Sequence, residues 1–174
     1  MNKISHYIIL QENTIKLHRK GGNINFMKKT NPTFKNKSWK KYNTPTPEDR
    51  QLFYCIQAAG HVYANPGYCQ NRENYMDNIY VAYTLNGTGY LIYRNQEYTV
   101  PPESGFIIKC SDHHIYYTDD NNLWDKVWFH FFGNNSQYLY EKIYKNNGPL
   151  FYEKSNNVIK KNKEKIIDLV KENK

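Results

Sequence analysis

The chain has 174 residues, 39% hydrophobic and 16% aromatic, enough for one compact core of roughly 100–120 residues with appendages. Its formal charge of +8 invites a nucleic-acid reading, but the charge sits at the ends. Residues 1–50 carry 11 basic and 3 acidic side chains, residues 51–154 carry 7 and 10, and residues 155–174 carry 6 and 3. The centre is mildly acidic, so solvated basic tails explain the charge better than a nucleic-acid face. Cys55, Cys69 and Cys110 make an odd number without CxxC spacing, which argues against a disulfide framework and against a zinc site. No apolar run approaches the ~18–20 residues of a membrane helix, and Tyr7–Leu10 is too short for a signal-peptide core. The expected location is the reducing cytoplasm.

Residues 1–50 read as a basic, flexible N-terminal arm, ending in an extended linker at Thr44-Pro45-Thr46-Pro47. Codons for Lys20-Gly21-Gly22 can form a purine-rich ribosome-binding sequence ahead of Met27, so Met1 and Met27 are both candidate starts. Residues 51–133 then break into pieces of strand length. Leu52–Gln57 is the first, followed by Ala58-Ala59-Gly60-His61 and a turn at Asn65-Pro66-Gly67. Tyr68–Tyr75 contains Arg72. Ile79–Leu85 and Tyr90–Tyr93 flank Asn86–Gly89, where two glycines suit a hairpin turn with positive φ. Glu97–Val100 is short, and Gly105–Lys109 carries three bulky apolar residues without alternation, as a strand buried on both faces would. Ile115–Thr118 and Lys126–Phe132 complete the set. Such spacing of aromatic and β-branched runs predicts a mainly-β chain, a sandwich or barrel. Tyrosine is the dominant aromatic, and it can give such a barrel a half-polar interior. Asn134-Asn135-Ser136 caps a short helix over Gln137–Tyr144, Gly148-Pro149 breaks the chain, and Ser155–Lys174 predicts a second, amphipathic helix.

Three stretches carry a resemblance. His114-Ile115-Tyr116 is followed by Trp124, Trp128, Phe131 and Gly133 in the spacing W-x-x-x-W-x-x-F-x-G. Asn86-Gly87-Thr88-Gly89-Tyr90 gives a G-x-G hairpin, and Pro101-Pro102-Glu103-Ser104-Gly105-Phe106 a turn before H-x-Y. Together they resemble the N-terminal effector-binding and dimerisation domain of AraC-type transcription regulators over roughly Leu52 to Tyr144. Many members have Pro-Gly-Asp at the last turn, where this chain has Glu103 and Ser104. The resemblance implies a cupin-like, jelly-roll β-barrel followed by two C-terminal α-helices. The barrel would bind a small effector, a sugar first of all, beneath the N-terminal arm. Residues 134–174 would be the dimerisation segment, giving a homodimer. DNA would be bound only through a separate helix-turn-helix domain, since no recognition-helix pair fits after Asn134.

The resemblance places Arg72 on sugar hydroxyls, and an Arg in a Tyr-rich barrel supplies fixed donors for vicinal hydroxyls or a carboxylate. A surface salt bridge to Glu73 or Asp77 is the plainer reading. Trp128 aligns with an indole that stacks on a sugar face, against ordinary core packing. Tyr116 and His114 share a sheet face by their spacing of two, and His114 is as well explained as a structural histidine. Lys126 shares a face with Trp128, and either reaches the pocket or flanks it. Trp124 is expected to close the barrel. A metal centre finds no support, because His113 and His114 are adjacent and no H-x-H occurs. No cofactor is expected. No Ser/His/Asp or Cys/His spacing suggests an enzyme. A cupin isomerase or dioxygenase, and a ligand-free dimerisation module, are the alternatives.

Overall fold

The computed structural model describes residues 38–73 and 76–153, the backbone of 14–20 and 23–29, and residues 162 and 165. β1 (Thr14–Lys20) and β2 (Asn23–Lys29) pair antiparallel as a hairpin. β3 (Trp39–Tyr42), α1 (Pro47–Leu52), β4 (Cys55–Tyr63) and β5 (Cys69–Arg72) follow. Then come β6 (Ile79–Asn86), β7 (Gly89–Tyr93), β8 (Gln96–Val100), β9 (Ser104–Lys109), β10 (His114–Thr118) and β11 (Asp125–Phe132). The described part ends in α2 (Ser136–Asn147) and β12 (Leu150–Tyr152).

Two antiparallel sheets face each other. One has the order β5-β10-β7-β8, the other β12-β9-β6-β11-β4-β3. The core between them includes Leu91, Val100, Phe106 and Ile108, all fully buried. β9 is buried along both faces, as its unbroken apolar run requires. Gly87 turns the β6–β7 hairpin at φ 72°, a conformation that residues with a Cβ rarely adopt. Trp124 closes the barrel as expected. It is 1% exposed, and its Nε1–H donates to Thr84 Oγ1 at 2.9 Å. No helix among the described residues is long and apolar enough to cross a membrane.

Several local expectations change. Thr44–Pro47 is not wholly an extended linker, because Thr46 caps α1. Thr46 Oγ1 accepts from the Asp49 N–H at 3.1 Å, and Asp49 Oδ2 accepts from the Thr46 N–H at 3.0 Å. This reciprocal pair, with Pro47 at the first helical position, starts a helix where Thr-Pro alone suggests extension. The strand expected at Leu52–Gln57 instead begins at Cys55 and runs through Ala58-Ala59-Gly60-His61. Ala and Gly have poor strand propensity, but β3 and β11 pair with this segment from both sides and override it. β3 lies where only basic arm was expected, and β12 forms after Gly148-Pro149 by pairing with β9. α2 is longer than foreseen, and Asn135 at its N-cap makes no side-chain capping bond. The second helix expected at Ser155–Lys174 lies outside the described residues, apart from residues 162 and 165.

Candidate functional site

Residues opposite one another on adjacent antiparallel strands point to the same face. On the smaller sheet, Arg72 lies opposite His114 and Gln70 opposite Tyr116. On the larger sheet, Trp128 lies between Gly60 and Ala82, and His130 between Ala58 and Tyr80. Lys40 and Tyr42 extend that row on β3, opposite Gly60 and Ala58. The two rows meet around a cavity of about 80 Å³. Gln70, Arg72, His114 and Tyr116 form one wall, Tyr80, Trp128 and His130 the other, and Lys40, Tyr42, Gln57, Ala58 and Met76 complete the lining.

Four of the five residues singled out from sequence, Arg72, His114, Tyr116 and Trp128, therefore line one cavity. Lys126 does not. It is 0% exposed, with Nζ 3.9 Å from the Tyr116 ring centroid, 4.0 Å from that of Trp124, and 3.2 Å from the Tyr80 hydroxyl. It shares the inward face with Trp128 as its spacing requires, but it is wedged one layer deeper, beneath the cavity wall. Burial pushes its ammonium well below the usual lysine range, while the aromatic faces around it favour the charged form.

Burial holds His114 and His130 neutral. His114 Nδ1–H donates to the Asp112 carbonyl at 2.7 Å, which makes Nε2 the lone-pair nitrogen. Burial lowers its pKa to about 4, and Arg72 and His113 push the same way against the Asp112 bond. His113 points to the opposite face, as adjacency requires, and pairs with Asn71 at 2.9 Å. His130 is lowered to about 3, first by burial, then by His114, Lys126 and Arg72. Its Nδ1 lies 3.2 Å from Asn78 Oδ1. Asn78 Nδ2 is already committed to Gln57 Oε1 at 2.7 Å, so Oδ1 accepts and His130 Nδ1 carries the proton. His114 stacks on Tyr116 with centroids 6.1 Å apart, and His130 on Tyr80 at 4.6 Å. No cluster of three or more His, Cys, Asp or Glu side chains able to hold a metal occurs among the described residues.

Trp128 owes its position to Gly60. A Cβ there would lie 2.8 Å from the indole and 2.5 Å from the Trp39 carbonyl oxygen. Sequence reasoning missed Gln70, Lys40, Tyr42 and Tyr80. Period-two spacing from Arg72 points to Gln70, but nothing local marks Lys40 and Tyr42 as pocket residues. Gln70 is 3% exposed, and neither Nε2 nor Oε1 has a hydrogen-bond partner among the described residues. An amide left this way costs ~1–3 kcal/mol.

Two facing antiparallel sheets with a polar-aromatic cavity between them form a cupin-like β-barrel. Residues 68–152 match the AraC-like ligand binding domain. No curated protein matches the chain. Among solved structures, the AraC-like transcriptional activator CuxR is similar at 7% identity, over 78% of this chain and 53% of that one, with a TM-score of 0.48. The cupin domain of an XRE-family transcriptional regulator from Enterobacter cloacae is similar at 13% identity, over 53% and 94%, with a TM-score of 0.42. The pirin YhhW from Escherichia coli, in complex with nickel(II), is similar at 13% identity, over 60% and 50%, with a TM-score of 0.44.

Proposed function

We propose that the chain is the sensor part of a bacterial transcription regulator. Its barrel takes up a small polar effector of the sugar class in the cavity between the sheets. Arg72 and Tyr116 hydrogen-bond to the effector, His114 accepts through Nε2, and the Trp128 ring packs on its face. What carries the reading is the convergence of these four side chains on one cavity inside the family-matched segment. Effector binding shifts the balance between two arrangements of the chain only in so far as it binds them with different affinity. A separate domain reads that balance out on DNA in the cytoplasm. The 134–174 segment pairs two copies, and Tyr138 and Leu139, exposed on α2, offer apolar surface for it.

Calorimetry on the folded chain against a sugar and metabolite panel tests the proposal. A saturable ligand whose affinity falls at least tenfold in Arg72→Ala is the expected outcome. A ligand whose affinity Arg72→Ala leaves unchanged removes the site assignment, and turnover of a bound compound would favour an enzyme instead.

A further inference from the structure

Resting on the reading of the barrel as an effector site, we infer that the effector is a hydroxy acid, such as a sugar acid, and that Gln70 selects it. The Gln70 amide is the buried polar group of this cavity that the described protein leaves unpaired at both ends. It stands on the inward face of β5, opposite Tyr116 and two residues before Arg72, so it points into the same space. To satisfy it, a ligand must place an acceptor against Nε2 and a hydroxyl donor against Oε1. A carboxylate with a hydroxyl on the neighbouring carbon offers both within one short group.

Charge points the same way. Among the described residues, the lining holds two cationic side chains, Lys40 and Arg72, and no carboxylate. A carboxylate can add a charge-assisted contact to Arg72 that a neutral sugar lacks. Arg72 presents a fork suited to a carboxylate. His114 and His130 stay neutral at pH 7, so they add no charge and keep lone pairs for hydroxyls. Size is consistent with this. About 80 Å³ is well below the ~300 Å³ lower bound for a pocket that encloses a drug-sized ligand. It suits the hydroxy-acid end of a molecule, with any remainder passing Lys40 and Tyr42, the latter 62% exposed.

Matched probes on the full chain test this by calorimetry and thermal shift: gluconate against glucose, and lactate against propionate. Gluconate is expected to bind at least tenfold more tightly than glucose, and lactate more tightly than propionate. Gln70→Met, close in volume, is expected to raise the melting midpoint of the free protein by about 2–4 °C and to abolish the preference for lactate over propionate. A merely structural glutamine would not couple a more stable free protein to lost discrimination. Glucose binding as tightly as gluconate overturns the inference and leaves the sensor reading standing. So does a Gln70→Met variant that melts lower or discriminates unchanged. Silence of both probe classes, and of the wider panel, on folded protein removes the sensor reading together with the inference.

Discussion

Replacing His114 with Gln should flatten part of the protein's acid sensitivity, by an amount that follows from the imidazole's surroundings. The ring is 2% exposed, its Nδ1–H is fixed on the Asp112 carbonyl, and its pKa in the fold is about 4. In the unfolded chain the same ring titrates near its ordinary value of about 6.5. Between these values the unfolded state binds a proton that the folded state refuses. Stability from this group is therefore fully present above pH 6.5 and is lost as pH falls toward 4. From pH 7.5 to 5.5, a folded pKa of about 4 gives a loss of roughly 1.3 kcal/mol, or about 3–5 °C in melting midpoint for a chain of this size. His130, lowered to about 3 by burial first of all, adds a loss of the same sign and similar size. In this window neither ring takes up a proton in the folded state, so their mutual repulsion does not enter. Urea denaturation of the wild type and of His114→Gln at pH 7.5, 6.5 and 5.5 isolates the term, since the carboxylates contribute equally to both. Parallel pH profiles for the two proteins would refute the reasoning. So would a His114 ring-proton resonance titrating near pH 6.5.

Gly60→Ala should lower stability by about 1–3 kcal/mol, because the new methyl would lie 2.5 Å from the Trp39 carbonyl oxygen, which is backbone and yields little. The same methyl displaces the Trp128 ring, so a changed tryptophan emission is expected alongside the lower melting midpoint; an unchanged spectrum would argue against contact between Gly60 and the indole. Lys126→Met should melt higher than wild type at pH 7, since burial disfavours the ammonium that it removes. Its advantage should shrink as pH rises toward the ordinary lysine pKa, because the folded state gives up the proton at lower pH than the unfolded chain does. Melting curves at pH 7 and 9.5 check this, and a pH-independent difference would contradict it.

Much of the barrel was readable because its signals are local. The glycines of Asn86–Gly89 announce a hairpin, the unalternating Phe106-Ile107-Ile108 announces a strand buried on both faces, and the turn residues set boundaries close to the observed ones. Local signals failed where pairing overrode them. Ala58-Ala59-Gly60 is a poor strand by composition, yet it is the floor on which Trp128 lies, and small residues are required there because the ring takes the space. Trp39–Tyr42 reads as basic tail until β4 offers it an edge, and the pairing then sets Lys40 and Tyr42 at the mouth of the cavity.

The site divides along the same line. Arg72, His114, Tyr116 and Trp128 were visible through residue type and spacing, but depth was not. Lys126 obeys the same period of two as Trp128, yet it lies beneath the wall, because Tyr116 on β10 and Trp124, two residues earlier, close over it. Gln70 is the converse. A glutamine in a Cys-Gln-Asn-Arg run has no distinguishing chemistry until the second sheet covers it. An amide that is cheap to keep on a surface becomes costly when buried unpaired, and that cost makes Gln70 more informative about the ligand than the residues recognised first. A partner that satisfies it recovers the cost on binding, whereas the tyrosines and the indole gain from almost any polar-aromatic contact. On the proposed reading, discrimination between chemically similar effectors therefore rests more on Gln70 than on Trp128.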